Sequence, residues 1–438
     1  MSAPELVSLV TCDLGAIVRG RAVLSSEPAD LEGGVSWVPA NQALTPLGPL
    51  AEPSPFDSTG DLRLIPDGST RIRVGSVESG QTPLELVICD VTELDGSPWA
   101  CCPRDFLRRA LTKLHEQTGT IVRASFEHEF QLLREEPPAL PFSLEAQRLA
   151  EPFATNVMRA LVEAGVKPER FFPEYASHQF EVPVAPAEGL QAADRAVILR
   201  EVVREVARRE GRRATFTPLL DPAEAGNGVH VHLSLRDGDG MPVLFDPPRP
   251  GDLSELGGSF AAGVLEHAGA LTALCAPSVI SAERLYPHHW SAGAVCLGLR
   301  NRETLLRIPP LLHRHGEDTA AGQMRLEYRG VDAAANPYLA LGSIVLAGLS
   351  GIERGHPAPE LLDRDPSTLE SAEAERFGVG GLPGSLQGAL DALAADEDVR
   401  GWLGPLLYDA YVSVKQAELA VTAELPLQER CRRYALAY

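Results

Sequence analysis

Apolar and polar side chains alternate along residues 6–24 (LVSLVTCDLGAIVRGRAVL), a pattern that predicts a β-hairpin turning near Asp13 and Gly15. Residues 38–69 are rich in Pro, Gly, Ser and Asp and predict a long loop leading to a short strand at 62–65. Another strand is expected at 84–90, followed by a turn at Asp95 and Gly96, so that a small β-rich unit ends near Cys101. From Pro103 the period lengthens. Amphipathic helices are expected at about 104–117, 144–165, 187–210, 255–274, 336–352 and 406–423, alternating with short strands. The expected class is α+β, with a small β domain over 1–101 and a larger catalytic domain over 102–438 built around a sheet. The Pro-, Asp-, Glu- and Gly-rich segment 356–383 reads as a surface excursion.

Four strands in the middle of the chain are polar on one face. In Ser125–Phe–Glu127–His–Glu129–Phe130, the two acids project together while Phe126 and Phe130 turn the other way. A lone E-x-E is most often an exposed edge. In the run from Gly226 to Leu235, a Gly-Asn-Gly turn feeds a strand with His230, His232 and Ser234 on one face. Val229, Val231, Leu233 and Leu235 occupy the other, so that side must be buried and the polar face lines something. Arg325–Leu–Glu327–Tyr–Arg329 repeats the period, and alone it would pass for a salt-bridge ladder. Glu174 and Glu181 are an odd number of positions apart, and share a face only if the strand between them bulges or bends.

Charge narrows the partners. Sixty Asp and Glu against 39 Lys and Arg leave −21, which argues against a nucleic-acid partner and against an anionic membrane. Lysine is confined to Lys113, Lys167 and Lys415, so arginine carries nearly all positive charge. Seven scattered cysteines with no C-x-x-C pair suggest reduced thiols. With no basic, apolar leader at the N-terminus and no long apolar span, the expected location is the cytoplasm.

If the polar strand faces meet, Glu127, Glu129, Glu174, Glu181, Glu327 and His230 share one cavity. Converging buried carboxylates must be protonated or compensated by cations. Oxygen-rich ligation with one imidazole suits Mg²⁺ or Mn²⁺ better than zinc. Arg284, Arg300, Arg302 and Arg307 lie among Leu, Val, Gly and Ile, where phosphates or carboxylates would settle them. Divalent cations beside arginines are the equipment of phosphoryl transfer, and no G-x-x-x-x-G-K-[ST] loop is present to hold a nucleotide in another way.

These segments resemble the glutamine synthetase family, in the family's order and over nearly the whole chain. Glu127–His–Glu129 resembles its E-x-E strand, Glu174 to Glu181 its E-x-x-x-x-Q-x-E motif, and Gly226 to Ser234 its G-x-G-x-H-x-H-x-S signature. Arg300–Asn301–Arg302, Arg307–Ile–Pro, and Arg325 to Arg329 followed by Asp332 and Asn336–Pro337 resemble its most specific run. The resemblance implies a β-grasp domain before the catalytic domain and two or more metal ions per site. Glu129, Glu174 and Glu181 would hold one, and Glu127, His230 and Glu327 another. It further implies ATP contacts from His232, Ser234, Arg307 and Arg325, and glutamate held by Arg284, Arg329 and Gly226. Arg302 would steady the phosphoryl group in flight, with Arg284 and Glu327 beside the reacting atoms. ATP would phosphorylate the γ-carboxylate, and an amine would then displace phosphate. The implied assembly is a dodecamer of two hexameric rings.

The departures point to the acceptor. The family's flap reads R-L-x-P-G-Y-E, and here Arg284–Leu–Tyr–Pro–His288–His289–Trp290 ends on an indole. The aspartate of the family's F-x-D-G-S-S loop has no counterpart in residues 37–61, and N-G-S-G becomes Ala225–Gly–Asn–Gly. The tyrosine that some bacterial members adenylylate is not evident, the corresponding stretch offering Phe377. Ammonium needs a small anionic pocket, whereas Trp290 offers an aromatic wall to an organic amine. A ligase acting on an organic amine is therefore expected. An ammonia-using glutamine synthetase and a non-catalytic regulator that kept the fold are the alternatives. A metal-dependent amidohydrolase fits less well, because its H-x-H lies near the N-terminus.

Overall fold

The computed structural model describes residues 5–25, 31–75, 82–134, 137–285 and 292–438. The expected hairpin forms from strands Glu5–Cys12 and Val18–Ser25. The Asp13 carboxylate closes its turn, accepting from the amides of Gly15 at 2.9 Å and Ile17 at 2.8 Å. The hairpin joins a six-stranded mixed sheet in the order Val18–Ser25, Glu5–Cys12, Leu84–Thr92, Leu62–Pro66, Val35–Trp37, with Ile72–Val74 also on Leu84–Thr92. Glu5–Cys12 and Leu84–Thr92 run parallel and the other pairs antiparallel.

The larger domain surrounds a ten-stranded sheet. Its path runs Leu361–Leu362, Ala294–Leu299, Thr304–Ile308, Leu326–Tyr328, Val229–Arg236, Ile121–Leu133, Gln179–Val182, Phe172–Pro173. The α+β class with a small N-terminal sheet domain is thus the observed one. Val229, Val231, Leu233 and Leu235 are all buried, as their alternation requires, and so are Phe126 and Phe130. Phe130 packs against Phe153, Phe171, Phe180 and Phe216. The helix Gly189–Arg209 covers this apolar face, leaving the other to the site.

Behind it the helix Pro337–Arg354, buried along its first fifteen residues, crosses Glu255–Glu266 at close range. A Cβ added at Gly263 would meet the Ala347 carbonyl oxygen at 2.2 Å, so only glycine permits that approach. Asn336 caps the same helix through its Oδ1 and donates its Nδ2 to the carbonyls of Cys12 (3.2 Å) and Asp13 (2.9 Å), tying the hairpin to the catalytic domain.

Several helix boundaries depart from the periodicity. The segment expected as one helix over 144–165 is two, Leu144–Leu149 and Phe153–Glu163, interrupted at Pro152, where a proline cannot continue the hydrogen-bond ladder. The 255–274 segment divides at His267 into Glu255–Glu266 and Ala268–Cys275. The helix expected at 406–423 forms after a break at Gly404 and Pro405, and the turns before that break, from Glu397, were not expected. Helices Leu386–Ala395 and Leu427–Ala437 were not expected. The 356–383 segment is only partly a surface excursion, since Leu361–Leu362 pairs parallel to Ala294–Leu299 with Leu362 buried.

Candidate active site

The strand register brings the polar positions together. Glu129 lies opposite Glu181, Glu127 opposite His230, His232 opposite Glu327, and Glu327 opposite Arg307. Residues opposite each other in antiparallel strands project on the same side, so five strands feed one face. Of the two possibilities, a bulge or a bend, Glu174 joins them by a bend. The chain turns back between Phe172–Pro173 and Gln179–Val182, with the Glu174 amide donating to the Gln179 carbonyl at 2.8 Å, so the two acids stand on successive arms of a hairpin.

These groups line a cavity of about 540 Å³ with Arg302, Arg307, Arg325 and Arg329. A larger cavity, about 670 Å³, lies where the N-terminal sheet meets the catalytic domain. There Arg104 is already paired with Asp194 and Asp67, and Arg71 and Arg73 with Glu85. Unmatched carboxylates mark the smaller cavity as the chemical one.

His230 Nδ1 stands 3.9 Å from both Glu127 Oε2 and Glu327 Oε1. His232 Nδ1 accepts from Arg325 Nε at 3.1 Å, which leaves its ring proton on Nε2. That atom lies 3.1 Å from Glu127 Oε2 but is misaligned for a hydrogen bond. Glu327 is clamped: Oε2 takes Arg307 Nη1 at 2.6 Å, and Oε1 takes Arg329 Nη1. Burial alone would raise the Glu327 carboxyl, but Arg329, the two histidines and Arg307 hold it down to about 2. Burial likewise opposes ionisation of Glu127, yet His232 and His230 hold it well below the usual range. The other end of the cavity is the reverse. Burial and the neighbouring Glu129 push Glu174 up to about 8, and burial with Glu127 and Glu129 carries Glu181 well above its ordinary value.

A cavity that protonates some of its carboxylates for lack of positive charge is suited to a divalent cation. Among the described residues, ligand atoms of Glu127, Glu181 and His230 lie within 4.8 Å of one another. This grouping draws on both of the trios that the resemblance implies. Both oxygens of Glu327 are engaged by arginines, so ligation by this residue requires it to release or share one of them.

The remaining expected residues fall in several places. Arg284 is buried beside the 226–228 loop: a Cβ added at Gly226 would meet the Pro218 carbonyl oxygen at 2.3 Å and Arg284 Cγ at 2.7 Å. Its Nη2 donates to the Val331 carbonyl at 2.9 Å and its Nε has no hydrogen-bond partner among the described residues. Arg302 is an exposed residue at the cavity wall, and its backbone carbonyl accepts from Arg329 Nε at 3.0 Å. Ser234 lies further along the His230 strand, opposite Arg123, outside the cavity lining. Arg300, expected among the settled arginines, is exposed and takes no part in the lining, its backbone φ of 57° carrying it around the turn between two strands. Trp290, with His288 and His289, lies outside the described residues.

Sequence reasoning missed Phe142, Arg170 and Phe172, which line the cavity, and Tyr175, whose ring centroid lies 6.5 Å from that of Phe142. A phenylalanine in a proline-rich loop carries no periodic signal, although its positive φ of 56° is an uncommon conformation for that residue.

The sequence profile of the glutamine synthetase catalytic domain matches residues 100–434, and that of the glutamine synthetase N-terminal domain matches residues 1–99. The chain belongs to the glutamine synthetase family, and is an ATP-dependent ligase joining a carboxylate to an amine. It is 38% identical over 370 residues to a gamma-glutamylpolyamine synthetase of Streptomyces coelicolor, covering 82% of this chain and 77% of that one. It is 32% identical to the glutamine synthetase of Methanocaldococcus jannaschii, with 82% and 79% covered. A crystal structure described as a novel glutamine synthase homolog superposes with a TM-score of 0.91 at 45% identity, covering 100% of this chain and 99% of that one. No helix among the described residues is long and apolar enough to cross a membrane.

The raised carboxyls give a stability prediction. Glu174, raised from an ordinary 4.5 to about 8, stabilises the metal-stripped fold fully only below the lower value, and that contribution is lost as pH rises through the higher one. Metal-stripped protein should therefore melt at lower temperature near about pH 8 than near about pH 6, and Mn²⁺ should raise the melting temperature more at the higher pH, because it replaces the missing proton. Equal increments at both values, read by differential scanning fluorimetry, would contradict the charge imbalance.

Proposed function

We propose that the protein joins the γ-carboxylate of glutamate to an organic amine, with ATP as phosphoryl donor and Mg²⁺ or Mn²⁺ as cofactor. The observation that carries the chemistry is the single face on which Glu127, Glu129, Glu181, His230 and Glu327 meet beside Arg302, Arg307 and Arg329. Bound cations would lie among these carboxylates and neutralise charge on the transferring phosphate. Arg302 and Arg307 steady that charge from the cavity wall, while His232 and Arg325, paired with each other, face the nucleotide with Ser234 beyond them. Arg284 and Arg329 take the α-carboxylate of glutamate near Gly226. The γ-carboxylate oxygen attacks the terminal phosphorus of ATP, and ADP leaves. The amine nitrogen then attacks the acyl carbon, phosphate departs, and the nitrogen loses its proton.

The organic acceptor is supported by three features. The S. coelicolor relative is named for a polyamine. The flap ends on Trp290 where the family has a carboxylate. The cavity wall carries Phe142 and Phe172, which offer apolar surface to a carbon chain. An indole cannot take the proton that the family's flap carboxylate would take, so turnover should rise with pH as the amine becomes neutral. Trp290→Ala should weaken the organic amine by about 0.5–2 kcal/mol, seen as a higher amine KM. An unchanged KM would remove Trp290 from the acceptor site. Ammonia remains the second reading, since the M. jannaschii relative is named a glutamine synthetase.

A homo-oligomer of two hexameric rings is the assembly that follows from the family resemblance. All seven cysteines are free thiols and buried, which supports a reducing, cytoplasmic setting.

A further inference from the structure

Behind the carboxylates, three buried amide side chains form one directed chain. Gln131 donates its Nε2 to the Ser177 carbonyl at 2.9 Å, and its Oε1 accepts from Asn227 Nδ2 at 3.1 Å. Asn227 Nδ2 also reaches the Thr217 carbonyl at 2.8 Å, while its Oδ1 accepts from Gln179 Nε2 at 3.0 Å. Gln179 Nε2 then lies 2.9 Å from the Gly226 carbonyl and 3.1 Å from Glu129 Oε2. Its Oε1 accepts the Ala176 amide at 2.8 Å, which settles the orientation of the side chain.

Gln179 Nε2 has two hydrogens and meets three acceptors, so Glu129 and the 226–228 loop share one donor. The Gly228 amide adds a second tie to Glu129 Oε2 at 2.8 Å. The loop in turn packs on Arg284: a Cβ added at Gly228 would lie 3.2 Å from Arg284 Nη1 and 3.5 Å from Glu129 Oε1. A displacement of the Glu129 carboxylate must therefore move the loop or break these bonds. Position 227 is serine in the family's N-G-S-G signature. A serine hydroxyl has one hydrogen to donate, whereas the Asn227 amide donates twice and accepts once.

We propose that Gln179 and Asn227 are positioning residues that couple the Glu129 carboxylate to the 226–228 loop, so that a divalent cation at Glu129 tightens the loop receiving the amino-acid substrate. The proposal rests on the reading of Glu129 as a cation ligand and of Gly226 as part of the amino-acid site. Buried amides linked end to end transmit a shift because moving one member strains the hydrogen bonds of the next. Partners behind a metal ligand typically change affinity or activity by about 10–100-fold when removed.

The test is hydrogen exchange of the full-length protein with and without Mn²⁺, together with Mn²⁺ affinity and the KM for L-glutamate. In wild type, Mn²⁺ should slow exchange across residues 226–229. Gln179→Met should still bind Mn²⁺, lose the slowing, and raise the glutamate KM by about tenfold or more with a smaller change in kcat. Asn227→Ser should show the same loss to a lesser degree, and it carries the test alone if Gln179→Met does not fold. The coupling is overturned if a folded variant keeps both the Mn²⁺-dependent slowing and the wild-type KM. It is overturned equally if wild type binds Mn²⁺ with no slowing, in which case the cation assignment stands. If wild type binds no Mn²⁺, the assignment falls and the coupling falls with it.

Discussion

Glu327→Gln should lower ATP-dependent phosphate release by at least about 100-fold, the upper range already reached when only the partners behind metal ligands are removed. Glu327 stands among Arg307, Arg329 and His230. Arg307 holds one oxygen at 2.6 Å, Arg329 holds the other, and His230 Nδ1 lies 3.9 Å away. Glutamine preserves the shape but withdraws the negative charge and turns an NH₂ group toward an arginine. Two buried guanidinium groups then lose their counter-charge, and losing one partner of a buried pair costs about 3–5 kcal/mol. A fall in melting temperature should accompany the fall in rate. Glu129→Gln should be as inactive yet more stable than Glu327→Gln, because Gly228 and Gln179 already donate to that side chain and no arginine is clamped on it. Phosphate release at saturating ATP and Mn²⁺, with the assembly checked by size-exclusion chromatography, decides the matter. Either variant retaining more than about a tenth of wild-type activity would mean that the cations are held elsewhere.

Arg302→Ala should also produce a large loss, about a thousandfold in kcat, the lower end of what an arginine directed at a transferring phosphoryl group contributes. This substitution separates chemistry from folding. The Arg302 side chain is exposed at the cavity wall, while its anchoring role belongs to the backbone carbonyl that accepts from Arg329. Alanine keeps that carbonyl, so stability should move by no more than about 0.5 kcal/mol. Arg302→Lys should recover only a minor part, since a point charge does not reproduce the planar fork. A loss below about tenfold for Arg302→Ala would place the phosphoryl group elsewhere in the cavity.

Much of the site was legible because strand alternation is unforgiving. Four aliphatics buried behind His230 and His232 admit one arrangement of the polar face, and a one-residue slip would turn the histidines into the apolar core instead. The pairing of Glu129 with Glu181, or of Glu327 with Arg307, depends on register between segments far apart in sequence; the resemblance to a family grouped the first two and gave no pairing for the second. The hairpin between Glu174 and Glu181 went unseen because the intervening residues lack the Gly-Pro punctuation of a tight turn; His178 takes the positive φ of 52° instead. Gln131, Gln179 and Asn227 are single amides with no local pattern, and their significance lies wholly in what they touch after folding. The helix break at Pro152 was readable from composition, but the apolar period ran across it and masked it, whereas the expected helix at 406–423 starts just after the break at Gly404–Pro405.

The central claim is that this cavity joins glutamate to an organic amine in preference to ammonia. The most direct measurement is phosphate release by the purified protein with ATP, Mg²⁺ or Mn²⁺ and L-glutamate across mono-, di- and polyamines and ammonium, with kcat/KM determined for each. At least one organic amine should give a kcat/KM well above that of ammonia, with the γ-glutamylamide detected as product by mass spectrometry. If ammonia is used at least as efficiently as every organic amine tried, the acceptor assignment is contradicted.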